Sequence, residues 1–372
     1  MSYRNEDFWI EVNLENLCAN YDAVRKTVGG KKGVMAVVKA DAYGHGMVET
    51  AKALESHGAD YLAVSHFGEG KLLRENGIKM PVLLMTPALP EYYKEIVSLD
   101  LMPSLDRMEN LKALSQAAGD RSVGFHLKVN TGMNRFGVDC DEIEDLLAAL
   151  QSYPNLFLAG VFSHLPTALR KDHPQTTVQI KKFHDAVEKI RSCVDYDFDV
   201  HLCNSAGAIT HPEARWDYVR VGTLLYGQFP AAFLQGTIDL RPTWQAKARI
   251  LETRQVAPGE TVGYGADFRV RSQMRLGVIP VGYHDGFGVQ PPLNNVSFKV
   301  FVKQGLRLFR GFLRKRPNHQ VYYGKKPLPV IGRIAMQTTV VSLEHTDAGV
   351  GDIVDVPLRR TATAPTVKKI YM

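Results

Sequence analysis

Between residues 34 and 222, short apolar runs alternate with segments of helical period, and this repetition limits the folds open to the chain. Such alternation is typical of βα units. The eight predicted strands cover residues 34–39, 61–65, 82–85, 101–105, 124–129, 158–163, 200–203 and 218–221. The predicted helices include residues 47–57, 108–118, 141–150 and 176–192, in which apolar side chains recur at three or four positions. Eight units in this length favour an α/β fold with a closed (β/α)8 TIM barrel, and an open doubly wound sheet is the alternative.

After Arg241 and Pro242 the pattern changes to short segments of alternating polarity separated by glycine and proline. These segments include residues 245–255, 276–281, 296–302, 320–323 and 353–356. A period of two residues predicts strands. We therefore expect the barrel to occupy residues 1–240 and a smaller, mostly β domain to occupy residues 241–372.

Composition narrows the functional classes. The chain has 372 residues, of which 45% are apolar and 23% charged, as in soluble globular proteins. Its net charge of +6 favours anionic small ligands such as phosphates and carboxylates. Because the excess of basic residues is spread along the chain, we expect no nucleic-acid partner.

Cysteine usage and the N-terminal residues bear on location. The four cysteines include no CxxC pair and no metal-ligand spacing, which predicts reduced thiols and no metal site. The polar N-terminus does not resemble a signal peptide, and no apolar run is long enough to span a bilayer. We expect a cytoplasmic protein without a membrane partner.

Lys39 ends an apolar run and is followed by a predicted turn at residues 43–46. A lysine held partly away from water loses its preference for the charged form, and its amine becomes available as a nucleophile or Schiff-base former. The alternative is a loop lysine whose side chain extends to solvent, and Lys39 taken alone favours that alternative.

Polar residues also stand at the ends of other predicted strands, where parallel barrels carry their active sites. They are Lys128, His164, His201, Asn204 and Arg220. Each has a structural alternative, since a histidine can be hydrogen-bonded in a core and an arginine can pair with a carboxylate. The convergence of several such residues on one rim favours a common pocket.

The last two barrel loops contain residues suited to a phosphate. Ser205 follows the seventh predicted strand, and Gly222 and Thr223 follow the eighth. Loops at these positions often bind phosphate, although an ordinary helix cap and turn are the alternative. A phosphate across the pocket from Lys39 suggests pyridoxal phosphate, whose aldehyde and phosphate need two anchors.

Several motifs occur in an order that indicates a known family. They are VKADAYGHG at 38–46, LKVNTGMNR at 127–135, FSH at 162–164, HLCNSA at 201–206, VRVG at 219–222, VGYG at 262–265, PVGYHDG at 280–286 and GRIAM at 332–336. Together they resemble the alanine racemase family of fold-type III pyridoxal-phosphate enzymes over almost the whole chain. The resemblance implies a homodimeric isomerase with shared active sites that interconverts L- and D-alanine for D-alanine biosynthesis.

The resemblance also implies roles for individual residues. Lys39 is similar to the lysine that binds the cofactor and then acts as the base on one face of the substrate. Tyr264 of the partner subunit is similar to the base on the opposite face. The other residues implied to contact the cofactor or its surroundings are Tyr43, His164, His201, Asn204, Ser205, Arg220, Gly222 and Thr223. Among these, His164 resembles the hydrogen-bond partner of the tyrosine base. His201 resembles the histidine that orients the arginine, and Arg220 resembles that arginine, which lies beside the pyridine nitrogen.

Substrate binding is implied for Arg135 and the backbone N–H of Met336, which resemble the groups that hold the substrate carboxylate. Tyr283 resembles a pocket wall from the partner subunit. Lys128 occupies the position of a lysine that is often carbamylated in the family and braces the arginine.

The chain departs from the racemase pattern at several positions. Gln337 replaces the usual aspartate, and Asn130 and Asn134 replace the aspartate and glycine that flank the Thr-Gly-Met run. The tail has Ala364 or Pro365 where a tyrosine is usual. These changes leave open a racemase of serine or of a longer amino acid, or a degenerate cofactor-binding homologue; a related barrel decarboxylase is disfavoured by the racemase-like motif around Tyr264.

The segment between Tyr283 and Arg333 is longer than usual for the family and carries a basic insertion at residues 303–318. We interpret it as a solvated loop, with a docking element for an anionic partner as the alternative.

Overall fold

The computed structural model describes residues 6–30, 32–289, 302, 305–306 and 319–372. The chain forms two compact units, one of Asn13–Thr243 and one of Met1–Val12 with Trp244–Met372. Apart from residues 302, 305 and 306, the predicted strand at 296–302 and the basic insertion at 303–318 lie outside the described residues.

The first unit is built on eight parallel strands. Their bounds are Gly33–Val37, Tyr61–Val64, Val82–Leu84, Ser104–Leu105, Val123–Asn130, Leu156–Phe162, Asp199–His201 and Tyr218–Val221. All eight lie where the apolar runs predicted them. These runs are buried on both faces, which is why they lack the alternation of a half-exposed strand.

The sheet closes on itself. Its strands follow one another in sequence around the ring, and the eighth strand pairs with the first, Arg220 lying opposite Met35. A parallel bridge between Leu83 and Met102 joins the third strand to the residues just before the fourth. The (β/α)8 barrel is therefore confirmed, and the open doubly wound sheet is wrong.

Helices surround this barrel and pack their apolar faces on it. Their bounds are Leu14–Val28, Met47–His57, Phe67–Glu75, Tyr93–Ser98, Glu109–Ala118, Ile143–Leu150, Pro174–Cys193 and Ser205–Thr210. Local sequence sets their ends: the Asn13 side chain accepts a hydrogen bond from the Asn16 N–H at 2.7 Å, and Gly29 ends the first helix with φ of 104°. No helix in the described ranges is long and apolar enough to cross a membrane.

The second unit is mostly β. Its strands are Phe8–Val12, Trp244–Arg249, Glu252–Val256, Thr261–Val262, Phe268–Arg269, Met274–Ile279, Gln320–Tyr323, Lys326–Ile331, Thr339–Ser342, Ile353–Val356 and Lys368–Tyr371. Nine of them form one sheet, and residues 261–262 and 268–269 form a separate pair. The single predicted strand at 245–255 is two strands in the structure, separated by residues 250–251.

The N-terminal residues do not belong to the barrel. Strand Phe8–Val12 pairs antiparallel with Trp244–Arg249 and parallel with Lys368–Tyr371. The sequence analysis had placed residues 1–12 with the barrel. In the structure this strand belongs to the second unit, because Phe8, Ile10 and Val12 are fully buried in the sheet of that unit.

Candidate active site

The structure brings most of the predicted site residues to the carboxyl ends of the barrel strands. Lys39, Lys128, His201 and Arg220 lie in or directly after the first, fifth, seventh and eighth strands. Lys128, Arg135 and His164 line one cavity at this end. Tyr264, Tyr283 and Met336 belong to the other unit.

Lys39 is followed by a left-handed turn. Residues Ala40, Asp41, Ala42 and Tyr43 have φ values from 51° to 56°. For residues with a Cβ this conformation costs roughly 1–2 kcal/mol each, so the surroundings must hold it in place. The predicted turn at 43–46 thus starts three residues earlier than expected, at Ala40.

Two carboxylates hold the left-handed turn. Glu69 accepts a hydrogen bond from the Ala40 N–H at 2.7 Å, and its other oxygen accepts from Ser65 N at 2.8 Å. Asp41 accepts from the Met47 N–H at 2.9 Å and so connects the turn to the next helix. The sequence analysis missed Glu69, although its place three residues into a helix is the usual position for a capping glutamate.

The pKa of Lys39 is lowered from its ordinary value. Burial is the main cause, and the charges of Arg135 and Arg220 add to it, while Glu69 opposes them. A lowered pKa increases the fraction of neutral amine near pH 7. The Lys39 side chain is half-buried, and its role as a Schiff-base lysine stays a prediction.

Arg220 lies at one end of a buried hydrogen-bonded chain with two histidines. Its Nη1 lies 2.7 Å from His201 Nδ1, and His201 Nε2 lies 2.8 Å from His126 Nδ1. Because arginine can only donate, His201 must accept at Nδ1 and therefore carries its proton at Nε2. That proton points to His126 Nδ1, which fixes the tautomer of the second histidine as well.

Burial keeps both histidines of this hydrogen-bonded series neutral, and only Arg220 is charged. This burial lowers the pKa of His126 to about 3 and that of His201 well below its usual range. Burial lowers the pKa of Arg220 to about 10, which still leaves the guanidinium protonated at neutral pH. Arg220 also donates to the backbone oxygens of Ser163 at 2.5 Å and His201 at 2.9 Å, so its charge is well satisfied.

His126 was not among the predicted site residues. It lies within the fifth strand, and His126, Lys128 and Asn130 occupy alternate positions on one face of that strand. A polar period of two within an apolar run could have indicated it. The ring lies so close to Gly160 that a Cβ there would approach His126 Cε1 to 2.5 Å, so this neighbour has to be glycine.

Lys128 is enclosed between two aromatic rings. Its Nζ lies 5.0 Å from the centre of the Phe136 ring and 5.1 Å from that of Phe162, and it donates to the Met85 carbonyl at 2.7 Å. Burial, followed by the charges of Arg220 and Arg135, lowers the pKa of Lys128 to about 7. A large share of the molecules therefore carries this amine in its neutral form near pH 7.

His164 stands among the same cations. Burial and the charges of Arg220 and Arg135 lower its pKa to about 3. It is therefore a neutral imidazole at pH 7 and can accept a hydrogen bond from a hydroxyl. This is compatible with its predicted role beside the tyrosine base.

Three groups predicted to contact a phosphate converge near Gly222. The Gly222 N–H donates to Ser205 Oγ at 3.1 Å, and a Cβ at Gly222 would collide with the Tyr43 hydroxyl. Thr223 follows directly and is half-buried. Asn204 is used differently: its side-chain oxygen caps the helix Ser205–Thr210, accepting from two backbone N–H groups at 3.1 and 3.0 Å.

In the second unit, the predicted residues lie on neighbouring turns. Tyr283 N donates to Ala335 O at 3.0 Å, and an ion pair joins Arg333 to Asp267 close to Tyr264. The side chains of Tyr264, Tyr283 and Met336 are 72%, 50% and 57% exposed. They form an exposed group on this unit.

The (β/α)8 fold, with titratable residues gathered at the carboxyl ends of its strands, is that of a barrel enzyme. Residues 12–230 match the family model for the alanine racemase N-terminal domain, and residues 243–370 match that for the alanine racemase C-terminal domain. The chain belongs to the alanine racemase family, and it is an amino-acid racemase.

Individual relatives agree with this assignment. The alanine racemase of Syntrophobacter fumaroxidans is 32% identical over 339 residues, which span 91% of this chain and 84% of the relative. The alanine racemase of a Synechocystis species is 34% identical over 353 residues, spanning 93% and 88%. The solved structure of the alanine racemase from Clostridium difficile 630 has a TM-score of 0.87 at 26% identity and covers 99% of this chain and 96% of that one.

Proposed function

We propose that this protein interconverts L- and D-alanine with pyridoxal 5′-phosphate as its cofactor, by proton transfer at Cα between two bases. The observation that carries the proposal is the presence, on one barrel rim, of Lys39 with a lowered pKa and of Arg220 as a buried, permanent cation. The match to alanine racemases along both units supports alanine as the substrate. It does not favour a racemase of a longer amino acid or a degenerate homologue.

The barrel residues fit the cofactor. Donors and hydroxyls from Tyr43, Ser205 and Gly222 converge where only a glycine leaves space, an arrangement suited to a phosphate. Lys39 supplies the amine that an aldehyde binds, and Arg220 supplies a cation for the ring nitrogen. When bound, the cofactor supplies an electron-withdrawing ring that acidifies the Cα–H bond of the attached amino acid.

Arg220 would control where the proton returns. With a pKa of about 10 and several hydrogen bonds in place, it does not give up its proton to the ring nitrogen near pH 7. By keeping its proton, Arg220 would limit how much charge is drawn away from Cα and would so favour reprotonation there over transamination. His201 and His126 hold the guanidinium in a single orientation.

Racemisation needs a base on each face of Cα, because one fixed base returns the proton to the face from which it came. Lys39 serves one face, where burial and neighbouring cations make its neutral amine accessible. We assign the other face to Tyr264 of the partner subunit, with His164 as its hydrogen-bond partner. Arg135 and the Met336 N–H would bind the substrate carboxylate.

We further propose a homodimer with shared active sites. Large apolar side chains are exposed on loops that follow barrel strands, as Leu89, Met108, Phe136 and Leu169 show. Tyr264, Tyr283 and Met336 are exposed on the second unit. Exposed apolar surface of this kind is typical of interfaces. The four unpaired cysteines support a cytoplasmic location.

Lys128 is suited to carbamylation. Its neutral amine can attack CO2, forming a C–N bond and releasing a proton to water, and the product would place a negative charge beside Arg135. Protein equilibrated with 13C-labelled bicarbonate should show a carbamate resonance that grows as the pH rises through about 7, the pKa of this lysine. Lys128→Arg keeps a positive charge and should remove the resonance; its persistence would place the modification elsewhere.

The function is tested by incubating each enantiomer of alanine, serine and lysine with the holoenzyme in D2O. Alanine should lose optical activity and gain deuterium at Cα without release of CO2, and serine and lysine should react far more slowly. Lys39→Ala should remove the absorbance of covalently bound cofactor. Absence of both racemisation and deuteration for every substrate would contradict the proposal.

A further inference from the structure

The loop that carries Arg135 is closed at its base by side-chain hydrogen bonds. It leaves the fifth barrel strand at Asn130 and returns as the short strand Val138–Asp139, in which Asp139 lies opposite Asn130. Arg135 and Phe136 are exposed between these two ends. What holds the two ends together therefore determines where Arg135 is presented.

Asn130 is the residue that joins the two ends. Its Nδ2 donates to Asp139 Oδ1 at 2.8 Å and to Asn134 Oδ1 at 3.1 Å. Its Oδ1 accepts from the backbone N–H groups of Gly132 and Asn134, both at 3.1 Å. A carboxamide has two N–H donors and an oxygen that accepts twice, so the whole hydrogen-bonding capacity of this side chain is used within the loop.

The chemistry of this arrangement requires an amide opposite a carboxylate. An aspartate at position 130 could accept the two backbone bonds but could not donate to Asp139. It would instead bring two carboxylates to hydrogen-bond distance, where both cannot be ionised at low cost. An asparagine also suits position 134 for a reason of backbone conformation. Its φ is 55°, which asparagine tolerates better than most residues.

We propose that Asn130, paired with Asp139, is a positioning residue that fixes the 131–137 loop and thereby sets the affinity for the substrate carboxylate. The inference rests on the proposed function in one respect, the role of Arg135. It also gives a physical account of two departures from the racemase pattern. Asn130 replaces an aspartate because it faces Asp139, and Asn134 replaces a glycine because it is a partner of Asn130.

The test uses Asn130→Asp and two double variants, measured as holoenzymes. KM and kcat for L-alanine are compared with wild type from about pH 6 to about pH 9. Asn130→Asp should raise KM about tenfold across this pH range, where both carboxylates are ionised, with a smaller change in kcat.

Restoring a matched pair should reverse this effect. Asn130→Asp with Asp139→Asn again places an amide opposite a carboxylate and should return KM to within about twofold of wild type. Asn130→Asp with Asp141→Asn has the same net charge but leaves the two carboxylates facing each other, so KM should stay raised. Equal KM values for the two double variants would overturn the proposal.

A second readout does not depend on activity. Trypsin cleaves after arginine, so the rate of cleavage between Arg135 and Phe136 in the folded protein reports how firmly the loop is held. Cleavage should accelerate in Asn130→Asp and slow again only with Asp139→Asn. A wild-type protein that does not racemise alanine would contradict the proposed function; wild-type activity with unchanged KM and cleavage in Asn130→Asp would contradict the role of Asn130.

Discussion

His126 Nδ1 lies 2.8 Å from His201 Nε2, and both rings are fully enclosed in the barrel. The bond is directional because Arg220 uses the other nitrogen of His201. His126 is therefore linked to Arg220 through one intermediate ring, inside the barrel.

Removing the acceptor of His126 should disturb Arg220. In His126→Leu the Nε2 proton of His201 is left unpaired in the core, at a cost of about 1–3 kcal/mol. We expect kcat/KM to fall by about tenfold or more, and the absorbance of the bound cofactor to shift as the guanidinium moves. His126→Asn retains an acceptor near the Nδ1 position and should preserve both properties; identical behaviour of the two variants would contradict the role of this hydrogen bond.

Acid should destabilise the barrel through the same histidines. His126 has a pKa of about 3 in the folded protein and ~6.5 when unfolded, so between these pH values the unfolded chain binds a proton that the folded chain does not. The free energy of unfolding should therefore fall as the pH is lowered through this window, by up to ~1.4 kcal/mol per pH unit for each such histidine. Chemical denaturation at several pH values measures the slope, which should be smaller in His126→Asn; an unchanged slope would assign it to other groups.

Glu69 should control both the turn after Lys39 and the basicity of Lys39. Glu69→Gln loses the charge and can no longer accept the same hydrogen bonds from Ala40 and Ser65 with both oxygens. We expect a loss of about 1–3 kcal/mol in the free energy of unfolding. Because Glu69 raises the pKa of Lys39, its removal should also shift the acid limb of the pH–rate profile to lower pH.

Glu75→Gln is a matched control for this change, since it removes the same charge at the other end of the helix Phe67–Glu75. It should leave both the stability and the profile close to wild type. A shift of the acid limb to higher pH in Glu69→Gln would contradict the predicted direction.

Gly222→Ala should weaken binding of pyridoxal phosphate. The added methyl group collides with the Tyr43 hydroxyl, and we expect the dissociation constant to rise about tenfold, which is ~1.4 kcal/mol. Tyr43→Phe removes the nearest of the atoms in conflict, although the ring carbon Cζ still lies 2.8 Å from the added methyl group. The double variant should therefore bind more tightly than Gly222→Ala alone without regaining the wild-type affinity. Titration of the apoprotein with cofactor measures all four members of this cycle, and purely additive effects would show that the two residues do not share a phosphate site.

Much of the barrel could be predicted because its strands are buried on both faces and form compact apolar runs. His126 was not predicted because it is a polar residue inside such an apolar run. Its hydrogen-bond partner His201 is 75 residues away in the sequence, so the pair is not visible locally. Strand ends and the last two barrel loops were enough to single out several candidate residues, namely Lys39, Lys128, His164, His201, Asn204, Ser205, Arg220, Gly222 and Thr223. The others became recognisable only once the racemase motifs were matched, namely Tyr43, Arg135, Tyr264, Tyr283 and Met336.

The left-handed turn was not predictable from local preference. Of the residues at 40–43 only Asp41 is of a type that adopts this conformation with some frequency. What stabilises the turn is Glu69 and the helix start at Met47, and neither is visible in the four residues themselves. Likewise, nothing in the sequence of Phe8–Val12 distinguishes a barrel strand from a strand of the other sheet.

The assignment of Phe8–Val12 to the second unit has a consequence for synthesis on the ribosome. This strand is made before the barrel, yet both of its neighbours, Trp244–Arg249 and Lys368–Tyr371, are made only after it. Synthesis proceeds at roughly 5–20 residues per second, so the barrel has time to fold before the apolar strand Phe8–Val12 has either of its partners. A nascent chain of this protein would thus depend on keeping Phe8, Ile10 and Val12 from pairing with other exposed strands until Lys368–Tyr371 emerges.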